Sequence, residues 1–91
     1  MDIYPGLIVI STAGRDKDKY FVILSCMDDT YCMIADGNIR KVDRPKKKKI
    51  KHLKVTNHSL DRIREKFETG QTVTNSMIRK ELKQFTEQNE T

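Results

Sequence analysis

The stretch that decides the fold is Gly6-Leu7-Ile8-Val9-Ile10-Ser11-Thr12-Ala13-Gly14-Arg15-Asp16-Lys17-Asp18-Lys19-Tyr20-Phe21-Val22-Ile23-Leu24. Two short apolar runs, residues 7–10 and 20–24, flank a loop carrying Gly14 and three cations, Arg15, Lys17 and Lys19. Ile8, Val9, Ile10, Val22 and Ile23 are β-branched, stiff at χ1, and suit a pleated, partly buried surface. Residues 12–18 supply turn chemistry, so the stretch reads as two strands joined by a hairpin-type connection. The three cations then stand at one end of a rigid strand pair, where they can grip phosphate.

On the N-terminal side, residues 2–5 read as an irregular lead-in, with Pro5 and Gly6 marking the turn into the first strand. On the C-terminal side, the polar break Asp28-Asp29 precedes a third strand over residues 30–35. Asp36-Gly37 follows at once, a strong hairpin signal because a type I′ turn needs φ > 0. It predicts a short fourth strand over residues 38–42, with Met33, Ile34, Ile39 and Val42 supplying an apolar side. Pro45 and the lysines at 46–49 then interrupt regular structure. Four adjacent ammonium groups must stay hydrated, which keeps them out of a packed core and predicts a basic loop. A period of two resumes over residues 50–55, with Leu53 and Val55 on one face, and predicts a fifth strand. Five short strands within about fifty residues imply a small, strongly bent sheet or barrel.

The pattern changes near Thr56-Asn57-His58-Ser59. Leu60, Ile63 and Phe67 share one helical face, with Asn57 or Ser59 as N-cap and Gly70 as the stop. A second helix fits residues 75–85, capped by Thr74, with Ile78, Leu82 and Phe85 as its apolar stripe. Val73 and Ile78 occupy the positions of a hydrophobic staple. Six basic and six acidic residues from Leu60 onward cancel, so the helices read as a structural clasp on the sheet. Residues 86–91 are polar, lack periodicity and read as frayed. The expected organisation is thus a β domain over residues 1–57, a helical extension over 58–85 packed on it, and a tail over 86–91.

The formal charge of +5 is unevenly spread. Residues 40–54 hold nine cations against Asp43 alone, a net +8, which leaves −3 for the rest of the chain. A near-neutral body with one concentrated positive segment is what capture of a polyanion requires. No apolar run is long enough to cross a bilayer, and the start Met1-Asp2-Ile3-Tyr4-Pro5 lacks a basic signal region. The expectation is a cytoplasmic protein with no membrane partner, whose two cysteines, Cys26 and Cys32, are reduced, half-buried thiols.

The quoted stretch resembles the KOW motif, the strand–loop–strand element of many ribosomal and transcription-factor proteins. The resemblance lies in Gly6, the apolar run after it, Gly14, the basic Arg15-x-Lys17-x-Lys19 loop and the apolar strand that follows. Asp18 stands where the motif usually has a second loop glycine. Glycine serves there for φ > 0, which Asp is among the few residues to tolerate. The Asp-Gly turn, the lysine run and the Lys49-x-x-His52-Leu53 stretch extend the likeness to small KOW proteins akin to eukaryotic-type large-subunit ribosomal proteins, over roughly residues 3–57. This resemblance implies an SH3-like barrel, so the expected fold is mostly β: a small barrel of about five strands followed by two C-terminal helices. It also implies an RNA-binding, ribosome- or translation-associated protein.

The residues expected to contact RNA are Arg15, Lys17, Lys19, Arg40, Lys41, Arg44, Lys46, Lys47, Lys48, Lys49, Lys51, His52 and Lys54. Lysine predominates in the run, which favours diffuse phosphate contact, whereas Arg15, Arg40 and Arg44 suit directional contacts. Aromatics are few, and on strands they serve the core more often than they stack bases. Folded RNA read by shape and backbone is therefore expected, with Tyr20 as the one exposed stacking platform. The competing reading is a protein-interaction module, which needs an apolar groove rather than a cationic segment. Duplex-DNA binding shares the electrostatics but lacks a helix with a basic face. Zinc is set aside because the Cys26–Cys32 spacing is too long and both cysteines adjoin apolar strand runs. No cofactor or metal is expected. With no phosphate cradle, nucleophile elbow or carboxylate set for a raised pKa, the chain does not read as an enzyme.

Overall fold

The computed structural model describes residues 3–89. Met1, Asp2, Glu90 and Thr91, at the ends of the expected lead-in and tail, lie outside the described residues. Five strands, β1 (Leu7–Ser11), β2 (Tyr20–Cys26), β3 (Tyr31–Ala35), β4 (Lys46–Lys49) and β5 (Leu53–Ser59), are followed by helices α1 (Asp61–Glu68) and α2 (Asn75–Asn89). All strand pairs are antiparallel, in the order β4-β3-β2-β1-β5. The edge strands β4 and β5 are joined by one 3₁₀ turn, Ile50–His52. In a flat sheet of this order the edges would lie about 19 Å apart, four strand spacings. The four residue steps from Lys49 to Leu53 span at most about 14 Å even when fully extended. The sheet must therefore curl, and it forms an open, SH3-like barrel.

Alternation along β1 and β2 builds two cores. Leu7, Val9, Phe21 and Ile23 face inward with Cys32 and Ile34, and Ile50, Leu53 and Val55 complete the barrel interior. Ile8 and Val22 face outward and are covered by Leu60, at the entry to α1, and by Ile63, Ile78 and Leu82 from the helices. The helices thus dock on their own barrel, as the apolar stripe of residues 78, 82 and 85 predicts. Gly6 permits the approach of α1: it adopts φ +95°, and a Cβ there would sit 2.7 Å from the Cβ of Arg64. Thr74 caps α2 by accepting the Met77 N–H at 3.2 Å.

Several expected boundaries differ. Residues 38–42 form bends rather than a strand. The Asp36 carboxylate accepts the N–H groups of Asn38 and Arg40, and Asn75 Oδ1 accepts that of Val42, so side chains take the donors a ladder needs. Gly37 has φ +77°, yet it opens a loop over residues 36–45 rather than a tight hairpin. The lysine run, expected as a loop, is β4 itself, paired with β3 from Tyr31↔Lys49 to Ile34↔Lys46. An edge strand needs one neighbour only; Lys46 and Lys47 stay exposed, where they discourage further strand pairing, while Lys48 and Lys49 are half-buried.

The expected fifth strand splits into the 3₁₀ turn and β5, which continues through Ser59. A bulge opposite Ile8 and φ +66° at Asn57 carry β5 across the segment expected to start a helix. Neither Asn57 nor Ser59 caps α1; its N-cap is Leu60, without a side-chain bond. Residues 86–89, expected as frayed, continue α2. Of the two free thiols, Cys32 is buried but Cys26 is exposed rather than half-buried.

Candidate nucleic-acid interface

Loop 12–19 is braced by its own backbone and by its neighbours. Lys17 N–H donates to Gly14 at 3.2 Å, Asp18 N–H to Ser11 at 2.7 Å, and Lys19 N–H to Asp16 at 3.1 Å. Asp18 adopts φ +70°, in the left-handed region that Asp tolerates better than most side chains. Arg15, Lys17 and Lys19 are exposed on this frame. Asp16 turns inward instead, 3% exposed, and pairs with Arg40 at 3.0 Å. It does not balance the loop lysines, as their adjacency suggests, but anchors loop 36–45 to loop 12–19.

The lysine strand joins the same frame. Lys48 Nζ donates to the Ala13 carbonyl at 2.8 Å, reaching from the edge strand to the β1–β2 loop. Lys46 and Lys48 share a face with Ile34 and Cys32, whereas Lys47 and Lys49 share the other with Met33 and Tyr31. Lys47 Nζ lies 4.4 Å from the Tyr31 ring centroid, a cation–π contact. The run is thus divided between two faces. Thr12 N–H donates to the His52 carbonyl at 2.9 Å, which brings the segment of Lys51, His52 and Lys54 against the loop.

Of the expected residues, Arg15, Lys17, Lys19, Lys41, Arg44, Lys46, Lys47, Lys51 and Lys54 are exposed, and neither ion pair among the described residues uses them. Arg40 and Lys48 are committed to internal bonds, and His52 and Lys49 are half-buried. Tyr20, expected as an exposed platform, is half-buried and edge-on to Phe85, with centroids 5.7 Å apart at 68°.

Two cations escaped the sequence reading. Arg79 and Lys83 of α2 line an open cleft of about 470 Å³ together with Lys19, Tyr20, Asp36, Ile39 and Leu82. Their i, i+4 spacing beside the apolar stripe was the available signal, hidden by the neutral total of the tail.

Cys26 and Cys32 are register partners across β2 and β3. Burial pushes the Cys32 thiol up to about 11, with Cys26 adding to the rise, and burial raises Cys26 as well. Thiols held protonated are poor metal ligands. Among the described residues, no three His, Cys, Asp or Glu side chains gather where they could hold a metal ion, and no helix is long and apolar enough to cross a membrane. Comparison of the chain with protein-family models and with curated proteins gives no match.

Proposed function

We propose that this protein binds folded RNA through its phosphate backbone, in the manner of the KOW proteins it resembles. On this reading it is a non-catalytic, cytoplasmic partner of the ribosome or of its assembly. The observation that carries the reading is the bond from Lys48 to Ala13. It ties the lysine strand to the loop of Arg15, Lys17 and Lys19, so cations from distant segments stand on one rigid support. Neutralising phosphates there releases condensed counterions, the main source of backbone affinity. Much of the outer barrel face that a protein-docking module would offer, around Ile8 and Val22, is already covered by α1 and α2.

The test is the salt dependence of binding to a short RNA hairpin. Replacing Arg15, Lys17 and Lys46 by Gln leaves the braced frame intact. It should lower affinity and flatten the logarithmic salt slope by roughly 0.7–0.9 for each phosphate that is no longer neutralised. An unchanged slope and affinity would reject the surface. Equal affinity for a DNA hairpin of the same sequence would reduce the reading to unspecific electrostatics, because the 2′-hydroxyl distinguishes RNA.

A further inference from the structure

We infer that the cleft between loop 12–19, loop 36–45 and α2 receives one unpaired nucleotide of the bound RNA. Its phosphate would lie on Lys19, Arg79 and Lys83, and its base against Tyr20, Ile39 and Leu82. The inference rests on the RNA-binding reading and assigns the helical tail a part in it.

The volume, about 470 Å³, falls in the range of small-ligand sites and accommodates a single nucleotide. Three cations line the cleft against one carboxylate, Asp36, whose Oδ1 already accepts the Asn38 and Arg40 N–H groups. The charge excess therefore calls for an anion. Beside it stands apolar surface: Ile39 is 54% exposed, one of only two large hydrophobic side chains so exposed among the described residues.

The site is positioned in advance. Phe85 holds the Tyr20 ring edge-on, and the Arg79 guanidinium donates to the Gly37 carbonyl at 2.6 Å, leaving its other donors available. An anion attached to a flat aromatic ring, whose faces can lie on apolar side chains, matches both halves of the cleft. Lys19 selects RNA over a free nucleotide, because it belongs both to the cleft and to the basic loop. A backbone held on the exposed Arg15 and Lys17 would reach the cleft through Lys19, two residues on from Lys17 and part of its lining. A base inside a duplex cannot enter, so the occupant is a bulged or looped-out nucleotide.

The test compares a labelled RNA hairpin carrying one bulged uridine with the same hairpin fully paired. The full chain should bind the bulged form roughly tenfold more tightly, the scale of one stacked base. Ile39→Ser and Lys83→Gln alter exposed side chains, and each should abolish that preference while Ile39→Ser keeps the affinity for the paired hairpin. A preference that survives both substitutions overturns the inference. Equal binding of the two hairpins by the parent chain also overturns it and leaves the RNA-binding reading standing. Failure to bind either hairpin removes both. Should a variant misfold, methyl and ring shifts of Ile39 and Tyr20 in the parent chain decide: movement with the bulged hairpin only supports the site. Movement with polyglutamate and not with the bulged hairpin would identify an acidic-peptide groove and overturn the proposal.

Discussion

At the scale of single residues, the Asp16–Arg40 pair separates a structural arginine from the exposed ones proposed to contact RNA. Asp16 is a nearly fully buried carboxylate whose charge is balanced across 24 positions of sequence. Truncating Arg40 to Ala leaves that charge unpaired, and the expected loss is about 3 kcal/mol, the low end for a buried pair because Arg40 keeps partial contact with water. Urea denaturation checks this, and an unchanged midpoint would mean that water already screens Asp16. Asp28 makes a different prediction. Its Oδ1 accepts the Thr30 and Tyr31 N–H groups at 2.8 Å each, and these bonds hold its carboxyl below the usual carboxylate range. The folded pKa is depressed, so the contribution is complete above the unfolded value, about 3.9, and is lost as pH falls through the folded one. The Thr30 and Tyr31 amide shifts should stay constant from neutral pH down to about 4 and move only below it. A midpoint at or above the unfolded value would show that the carboxylate does not hold this turn.

At the scale of elements, β4 carries two kinds of lysine. Lys48 lies half-buried with its ammonium on Ala13, whereas Lys46 is exposed and makes no ion pair among the described residues. Lys48→Ala should cost about 1.5 kcal/mol, the low end for a hydrogen bond made by a charged group, because Lys48 is only half-buried. Lys46→Ala should stay within about 0.5 kcal/mol, as a surface change does, yet weaken RNA binding. Thermal melts set beside affinity for the hairpin distinguish the two. Equal losses of stability would mean that the bond from Lys48 to Ala13 does not brace the strand. A run of four lysines has no hydrophobic alternation, so its strand character was invisible along the chain. What makes it a strand is a row of donors and acceptors on β3, contributed by residues 31–34.

For the whole molecule, the outer face of β1 and β2 makes the tail indispensable. Ending the chain after Gly70 removes Ile78 and Leu82 from Ile8 and Val22. Two buried aliphatic side chains contribute about 5 kcal/mol together. A chain of this length has a total stability of roughly 5–14 kcal/mol. The truncated chain should therefore melt far below the parent and bind a hydrophobic dye through its uncovered sheet. A truncated chain with the parent melting temperature would show that the barrel stands alone.

The sequence by itself determined the two-sided burial of β1 and β2, the apolar stripe of α2, and a loop position at Asp18 suited to φ > 0. Each is a local property: side-chain periodicity reports which faces leave water, and backbone sterics restrict who can occupy the left-handed region. It also marked the cationic segments, because charge is read directly from composition. Only the tertiary structure decided that residues 38–42 turn while residues 46–49 extend, since their backbone donors are satisfied by partners distant in sequence or by competing side chains. Tertiary packing likewise withdrew Arg40 and Lys48 into internal bonds and added Arg79 and Lys83 beside Lys19. Whether a charge is free or spent depends on what lies opposite it, and for these residues the opposite group is 24 to 64 positions away along the chain.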